Sequence, residues 1–150
     1  MYNIIADDVV IGKGTVLKHF IELRKGTVIG KDCYIDSRVS TSGDCQIGDR
    51  VTLRYSAIIA RGVIIEDDVF LAPQVMTENL NHRGEAIGGA HIGIGEWDHE
   101  TRFRVFVGTK AVIAAGLKIC AGVVIGRFSN VRKDILEPGV YAGDPLRRLR

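Results

Sequence analysis

The chain has 150 residues, 46% hydrophobic and 25% charged, with a formal net charge of +2. That length carries one domain with a sizeable core. The charge is too small to point to nucleic acid, and the most apolar stretch, "AVIAAGLKICAGVVIG", is too short for a membrane span and holds Lys118. Eighteen glycines against three prolines indicate many tight backbone corners rather than a disordered, proline-rich segment.

The start, "MYNIIADDVV", lacks a basic n-region and reaches two aspartates by position eight, so it is not expected to be a signal peptide, and the cytoplasm is the expected compartment. From Ile5 the chain divides into hexads: IADDVV, IGKGTV, LKHFIE, LRKGTV, IGKDCY, IDSRVS, TSGDCQ, IGDRVT, LRYSAI, IARGVI, IEDDVF, LAPQVM. Eleven of the twelve open with Ile or Leu, Thr41 being the exception, and the fifth place is Val, Thr, Cys, Ala or Ile throughout. A helix repeats near 3.6 residues and a plain strand near two. A period of six fits short parallel strands joined by tight corners, with three hexads to one coil of a triangular prism and the first and fifth places turned inward. Cys33 and Cys45 hold fifth places and read as small core residues. Three cysteines without a CxxC give neither a disulfide frame nor a zinc ribbon. His19, inside LKHFIE, reads as structural or exposed.

The beat stops at "PQVMTENLNHRGEAIGGAH", where His82 stands among small and polar neighbours. It returns with VGTKAV from Val107, IAAGLK, ICAGVV and IGRFSN. The C-terminal region is locally basic, with Arg127, Arg132, Lys133, Arg147, Arg148 and Arg150. Those charges form either a solvated surface or an anchor for a small polyanion such as a nucleotide phosphate.

The hexads match the [LIV]-[GAED]-x-x-[STAV]-x pattern of the hexapeptide acyltransferases, and the chain resembles that family over residues 5 to 148. "VRKDILEPGVYAGDPLRRL" is similar to its closing motif, with Asp144 where asparagine is usual. The resemblance implies an all-β fold, a left-handed parallel β-helix of hexapeptide repeats with one extruded loop and a short C-terminal tail. In this reading 1–150 is one domain. Coils cover about 5–76 and 101–136, the extruded loop 77–100 and the tail 137–150. The left hand comes from the resemblance, since parallel crossovers are ordinarily right-handed.

In the maltose and galactoside O-acetyltransferase branch, a loop after a segment like "FLAPQV" carries the catalytic histidine, and His82 aligns with it. The branch's asparagine thirty residues earlier is Thr52 here. In the branch acting on amino groups of nucleotide-linked sugars, Asn79 aligns with a loop asparagine, and "EWDHETRF" resembles a second motif through Trp97 and Thr101. His82 stands where that branch has an aromatic, and Glu100 where it has proline. Each branch accounts for half of the loop.

The resemblance makes His82 and Asn79 the candidate catalytic residues. The candidates for holding acetyl-CoA, the expected co-substrate, are Phe106, Gly108, Ala114, Lys133, Arg147 and Arg148. Imidazole suits the work of a base near neutral pH. An amine acceptor needs such help less than a hydroxyl does. Trp97 is either a platform for a sugar or base, or a pin for the loop. His82, His91 and His99 lack the spacing of a three-histidine zinc site, so no metal is expected. The implied function is acetyl transfer to an amino group of a nucleotide-linked sugar by a homotrimer. Transfer to a sugar hydroxyl, or a non-catalytic trimeric β-helix binding protein, are the alternatives. Neither a nucleic acid nor a membrane partner is expected.

Overall fold

A computed structural model describes residues 2–150. Short strands, most of two or three residues, follow one another from Ile4–Ile5 to Arg147–Arg148. They stack into three sheets of seven, six and eight strands, the flat faces of a left-handed triangular prism. Ile4 pairs with Glu22, Glu22 with Ser40, and Ser40 with Ile58, so one coil takes eighteen residues. The first face starts with Ile4–Ile5, the second with Val10–Ile11 and the third with Val16–Leu17. No helix of the described residues is long and apolar enough to cross a membrane.

The inward column of each face is the first hexad place. Leu23, Ile29 and Ile35 begin the fully enclosed core, which continues through Leu53, Ile59, Ile65, Leu71, Ile113, Ile119 and Ile125. Burying each such side chain contributes about 1.5–3 kcal/mol. In the first coil Ile5 is still exposed and Ile11 and Leu17 half-buried, because no rung lies beneath them. Thr41, the exception to the apolar column, is buried beside Thr27, and their hydroxyls lie 2.8 Å apart. The Thr41 oxygen also accepts from the Arg24 amide at 3.3 Å. A polar pair at the axis is tolerated because each member is satisfied.

The corners obey a rule the glycine count only half discloses. The fourth hexad place has positive φ from Gly14 to Gln74 without a break, yet Phe20, Asp32, Arg38, Asp44, Arg50, Ser56, Asp68 and Gln74 are not glycine. Left-handed backbone costs an L-residue about 1–2 kcal/mol. What offsets it is a second ladder at the corners: Arg38 N–H donates to His19 O, Arg50 to Lys31 O and Gln74 to Tyr55 O, at 2.8–2.9 Å. Glycine is required instead at the second hexad place of one corner. A Cβ on Gly30 would lie 2.5 Å from the Gly48 carbonyl oxygen, and one on Gly12 2.5 Å from the Gly30 carbonyl carbon. Coils touch there backbone to backbone.

The interruption differs from the expected single loop over 77–100. Thr77 is buried in a strand, with its hydroxyl donating to Ile58 O and accepting from Ala60 N–H. His91–Ile94 is a full rung of the second face, between Ile64–Ile65 and Lys118–Cys120. There are therefore two insertions. Met76 and His91 are fifteen residues apart where Ile58 and Ile64, one coil below, are six; His91 and Phe106 are fifteen apart where Ile64 and Phe70 are six. Each insertion adds nine residues, and regular coil resumes at Val105 rather than at 101. The tail is shorter than expected too. Gly139–Ala142 pairs in parallel with Val123–Ile125 as a rung of the third face, and Arg147–Arg148 folds back antiparallel onto it.

All three cysteines are free. Cys33 donates its thiol to Gly48 O and Cys45 to Ala60 O, each at 3.1 Å. Burial pushes both thiols above their ordinary range. An unfolded thiol ionises near about pH 8.5, so the stability these groups supply is complete below that pH. It is lost as pH rises past that value toward the higher folded-state one. The melting temperature should therefore fall as pH rises above about 8.5, and fall less steeply in a Cys33→Ala/Cys45→Ala chain. Parallel slopes for the two chains would exclude the core thiols as the cause.

Candidate functional site

The first insertion is a small hairpin standing on the first face. Leu80 and Ala86 bridge antiparallel, and Ile87 N–H donates to Asn79 O at 2.9 Å. Asn81 organises the tip: its Oδ1 accepts from the amides of Arg83 and Glu85, and its Nδ2 donates to Glu85 Oε1. Asparagine suits this place because its side chain imitates a backbone turn. His82 follows it, exposed, at the end of the hairpin. The tip is thus fixed by its own hydrogen bonds while the imidazole stays free.

His82 looks into a cleft of about 520 Å³, walled by Glu78, Leu80 and Ile87 of the hairpin and floored by Val112, Ala114 and Ala115. Asn130 and Arg132 complete it. The same two residues line a second cleft of about 440 Å³ at the C-terminal end of the prism, with Lys133, Asp134, Tyr141, Pro145, Leu146 and Arg148. The two clefts adjoin at Asn130 and Arg132, with His82 lining the first and Lys133 and Arg148 the second. Part of the positive charge is already paired. Arg132 Nη2 donates to Asp144 Oδ1 and Arg148 Nη1 to Glu137 Oε2, each at 2.9 Å.

The sequence candidates are not all in these clefts. His82, Ala114, Lys133 and Arg148 line them; Arg147 is exposed on the returning strand, outside the lining. Gly108 is buried at a corner where a Cβ would lie 2.5 Å from the Arg127 amide nitrogen, so its place is set by coil stacking. Asn79 lies across the hairpin from His82, in a smaller cleft with Ser42, Ile58, Ala60 and Thr77. Phe106 points out from the third face, stacked on Phe70 with ring centroids 5.3 Å apart. Asn130 and Glu78 were not among the candidates, and Arg132 was named only as one of the basic C-terminal residues. Counting back one coil of eighteen from Arg132 reaches Ala114, which would have brought the arginine to the clefts.

The second insertion wraps the corner between the second and third faces. Arg104 staples it: Nε donates to Asp67 O at 3.0 Å, and Nη1 to Gly95 O at 2.7 Å and Gly93 O at 3.2 Å. Trp97 Nε1 donates to Thr101 Oγ1 at 3.0 Å, and that hydroxyl donates to Phe103 O at 2.8 Å. Trp97 therefore pins the loop, with His99 against its ring. His91 bonds Glu66 through Nε2 on the second face. His82, His91 and His99 lie in three different places, and no group of three His, Cys, Asp or Glu side chains suited to a metal occurs among the described residues.

Comparison with known proteins agrees with this architecture. Residues 26–61 match the family described as bacterial transferase hexapeptide (six repeats). The chain is 29% identical over 150 residues to the bifunctional protein GlmU of Koribacter versatilis, covering 93% of this chain and 30% of that protein. It is 32% identical over 135 residues to the GlmU of Lactobacillus delbrueckii subsp. bulgaricus, covering 84% and 28%. The chain thus spans about a third or less of these relatives' length. Among solved structures, a maltose O-acetyltransferase from Clostridium difficile superposes with a TM-score of 0.64 at 25% identity, over 84% of this chain and 69% of that one. A perosamine N-acetyltransferase variant from Caulobacter crescentus, in complex with CoA and GDP-perosamine, superposes with a TM-score of 0.68 at 18% identity, over 99% and 53%. The six-residue beat, the corner ladder and the fold all agree with the match of residues 26–61 to that hexapeptide-repeat family.

Proposed function

We propose that this chain is an acetyl-CoA-dependent acetyltransferase acting on an amino group of a nucleotide-linked sugar. The observation that carries the reading is the pair of clefts that adjoin at Asn130 and Arg132, with an exposed imidazole in one and basic side chains in the other. An extended donor with a reactive thioester and a polyanionic tail has that polarity. Similar folds that hold CoA together with GDP-perosamine or with dTDP support the reading.

In the reaction, the acceptor nitrogen attacks the thioester carbonyl, a C–N bond forms and the C–S bond breaks. His82 takes the proton released by the nitrogen and returns it to the departing thiolate. Glu78 lines the same cleft and supplies it with a carboxylate. Lys133 and Arg148 hold the donor's phosphates, and Asn79 positions the acceptor from the other flank of the hairpin. Transfer to a sugar hydroxyl is the second reading, favoured by the 25% identity to the maltose enzyme and by the free imidazole at the hairpin tip. We take the assembly to be a homotrimer, because a hairpin projecting from a flat face needs a neighbouring surface to enclose a substrate.

Three measurements test these assignments. Sedimentation equilibrium should give close to three times the 16.4 kDa chain mass, and a monodisperse monomer at micromolar concentration would remove the shared-site arrangement. Lys133→Glu should weaken CoA more than dephospho-CoA, since an ordered charge-assisted contact contributes about 1.5–3 kcal/mol; equal losses would detach Lys133 from the phosphate. Acetyl transfer, followed as thiol release from pH 6 to 9, separates the acceptors. For a hydroxyl, His82→Ala should cost about 10²–10⁴ in turnover with CoA affinity kept. For an amine, the loss should be smaller and largely recovered at high pH, with Asn79→Ala the more damaging change. Full activity of both variants across that range would refute the site.

A further inference from the structure

The third face carries an aromatic construction that these clefts do not use. Phe70 and Phe106 are register partners on adjacent rungs, and their rings stack at 5.3 Å with planes 14° apart. Phe103, delivered by the second insertion, lies 4.8 Å from the Phe70 centroid and 6.2 Å from that of Phe106. The next residue in the column is Val124, register partner of Phe106. The stack of rings therefore ends after two rungs, and where it ends there is a cleft of about 280 Å³ lined by Thr101, Arg102, Phe103, Phe106 and Val124.

The slot is prearranged. The Phe103 backbone is held through the chain from Trp97 to Thr101 to its own carbonyl, and the insertion is held by Arg104, which reduces the ordering a ligand must impose. Arg102 is exposed at the rim with its guanidinium 5.2 Å above the Phe103 ring. It has no carboxylate within ion-pair distance among the described residues. Closing a coil does not require this. Nine extra residues place one more half-buried ring and one unpaired cation beside a ring stack.

We propose that this slot binds the planar base of a nucleotide, which continues the Phe70–Phe106 stack over Val124, while Arg102 holds the attached phosphate. An alkyl chain would gain from the floor but leave the guanidinium unused; a bare anion would leave the rings unused. Base stacking on an aromatic side chain and a charge-assisted bond to phosphate use both. The base belongs to a nucleotide-linked acceptor, because the donor's phosphates are assigned to Lys133 and Arg148, which line a different cleft; the proposal rests on the transfer reading only for that naming.

The single tryptophan of the chain, Trp97, reports from inside the same insertion. Its fluorescence should change saturably on titration with UDP, dTDP or GDP; a saturable change with 3′,5′-ADP alone would overturn the acceptor assignment. Arg102→Gln should weaken the diphosphates at least fivefold and leave the corresponding nucleosides unchanged. Phe103→Leu should weaken both, its fold checked by thermal melting; Arg102→Gln, being at an exposed site, keeps the test valid if Phe103→Leu unfolds. The slot is not a nucleotide site if no nucleotide gives a saturable change, or if Arg102→Gln binds diphosphates as the parent does. It is equally overturned if the Trp97 signal follows protein concentration instead, which would mark the aromatic face as a contact between chains. No arm measures acetyl transfer, so loss of the transfer reading and loss of this site are separate results.

Discussion

The whole molecule depends on one constraint: each coil must satisfy its backbone from the coil above. Amides in the strands donate to carbonyls seventeen residues ahead, as Ile4 does to Ile21 and Gly12 to Ile29. Corner amides donate nineteen residues back, as Arg38 does to His19. With no helix to close its own bonds locally, a segment that leaves the prism must re-enter at the same rung or orphan two rows of polar groups. The close glycine contacts at Gly12 and Gly30 and the left-handed corners follow from bringing coils within hydrogen-bonding reach on every side. Function is confined to what can be hung on such a ladder without breaking it.

That confinement explains what the sequence discloses and what it hides. The regular coils were legible because their period is local: the first and fifth places recur every six residues, and Ile35 or Val51 needs no distant information to be placed. The rung at His91–Ile94 was hidden by arithmetic. The two insertions together add one full coil length, so Val107 and Ile113 return in the phase set by Ile5. Ile92, between them, is three residues out of that phase. A reader following the beat sees one silent stretch and an undisturbed resumption. Ala90 and Ile92, a small and a large apolar residue two apart and both buried, are the local signature that was available.

The site was legible in its hairpin and less so in its walls. His82 could be found because it breaks a pattern. Asn130 and Arg132 keep the pattern, and they reach the clefts through stacking eighteen residues apart rather than through any motif. The aromatic slot is harder still. Phe70 and Phe106 look unrelated along the chain, being thirty-six residues apart, and become ring-stacked partners only because one coil has twice the usual length. In a solenoid the neighbours that matter are vertical, and anything that alters the length of a coil rewrites them.

The rungs also make the prism a ruler. Its graduations are the inter-strand spacing, about 4.8 Å, and positions along the axis cannot take intermediate values. The hairpin rises from the rung of Met76–Thr77, while Asn130–Val131, beside Arg132 and Lys133, is two graduations above it on the same face. The root of the hairpin and the rung beside the basic residues are therefore near 10 Å apart along the axis, whatever side chains decorate the faces. A chain of this kind can lengthen or shorten that span only by gaining or losing a coil of eighteen residues. Ligand length is thus measured in whole steps, and finer adjustment falls to the two loops.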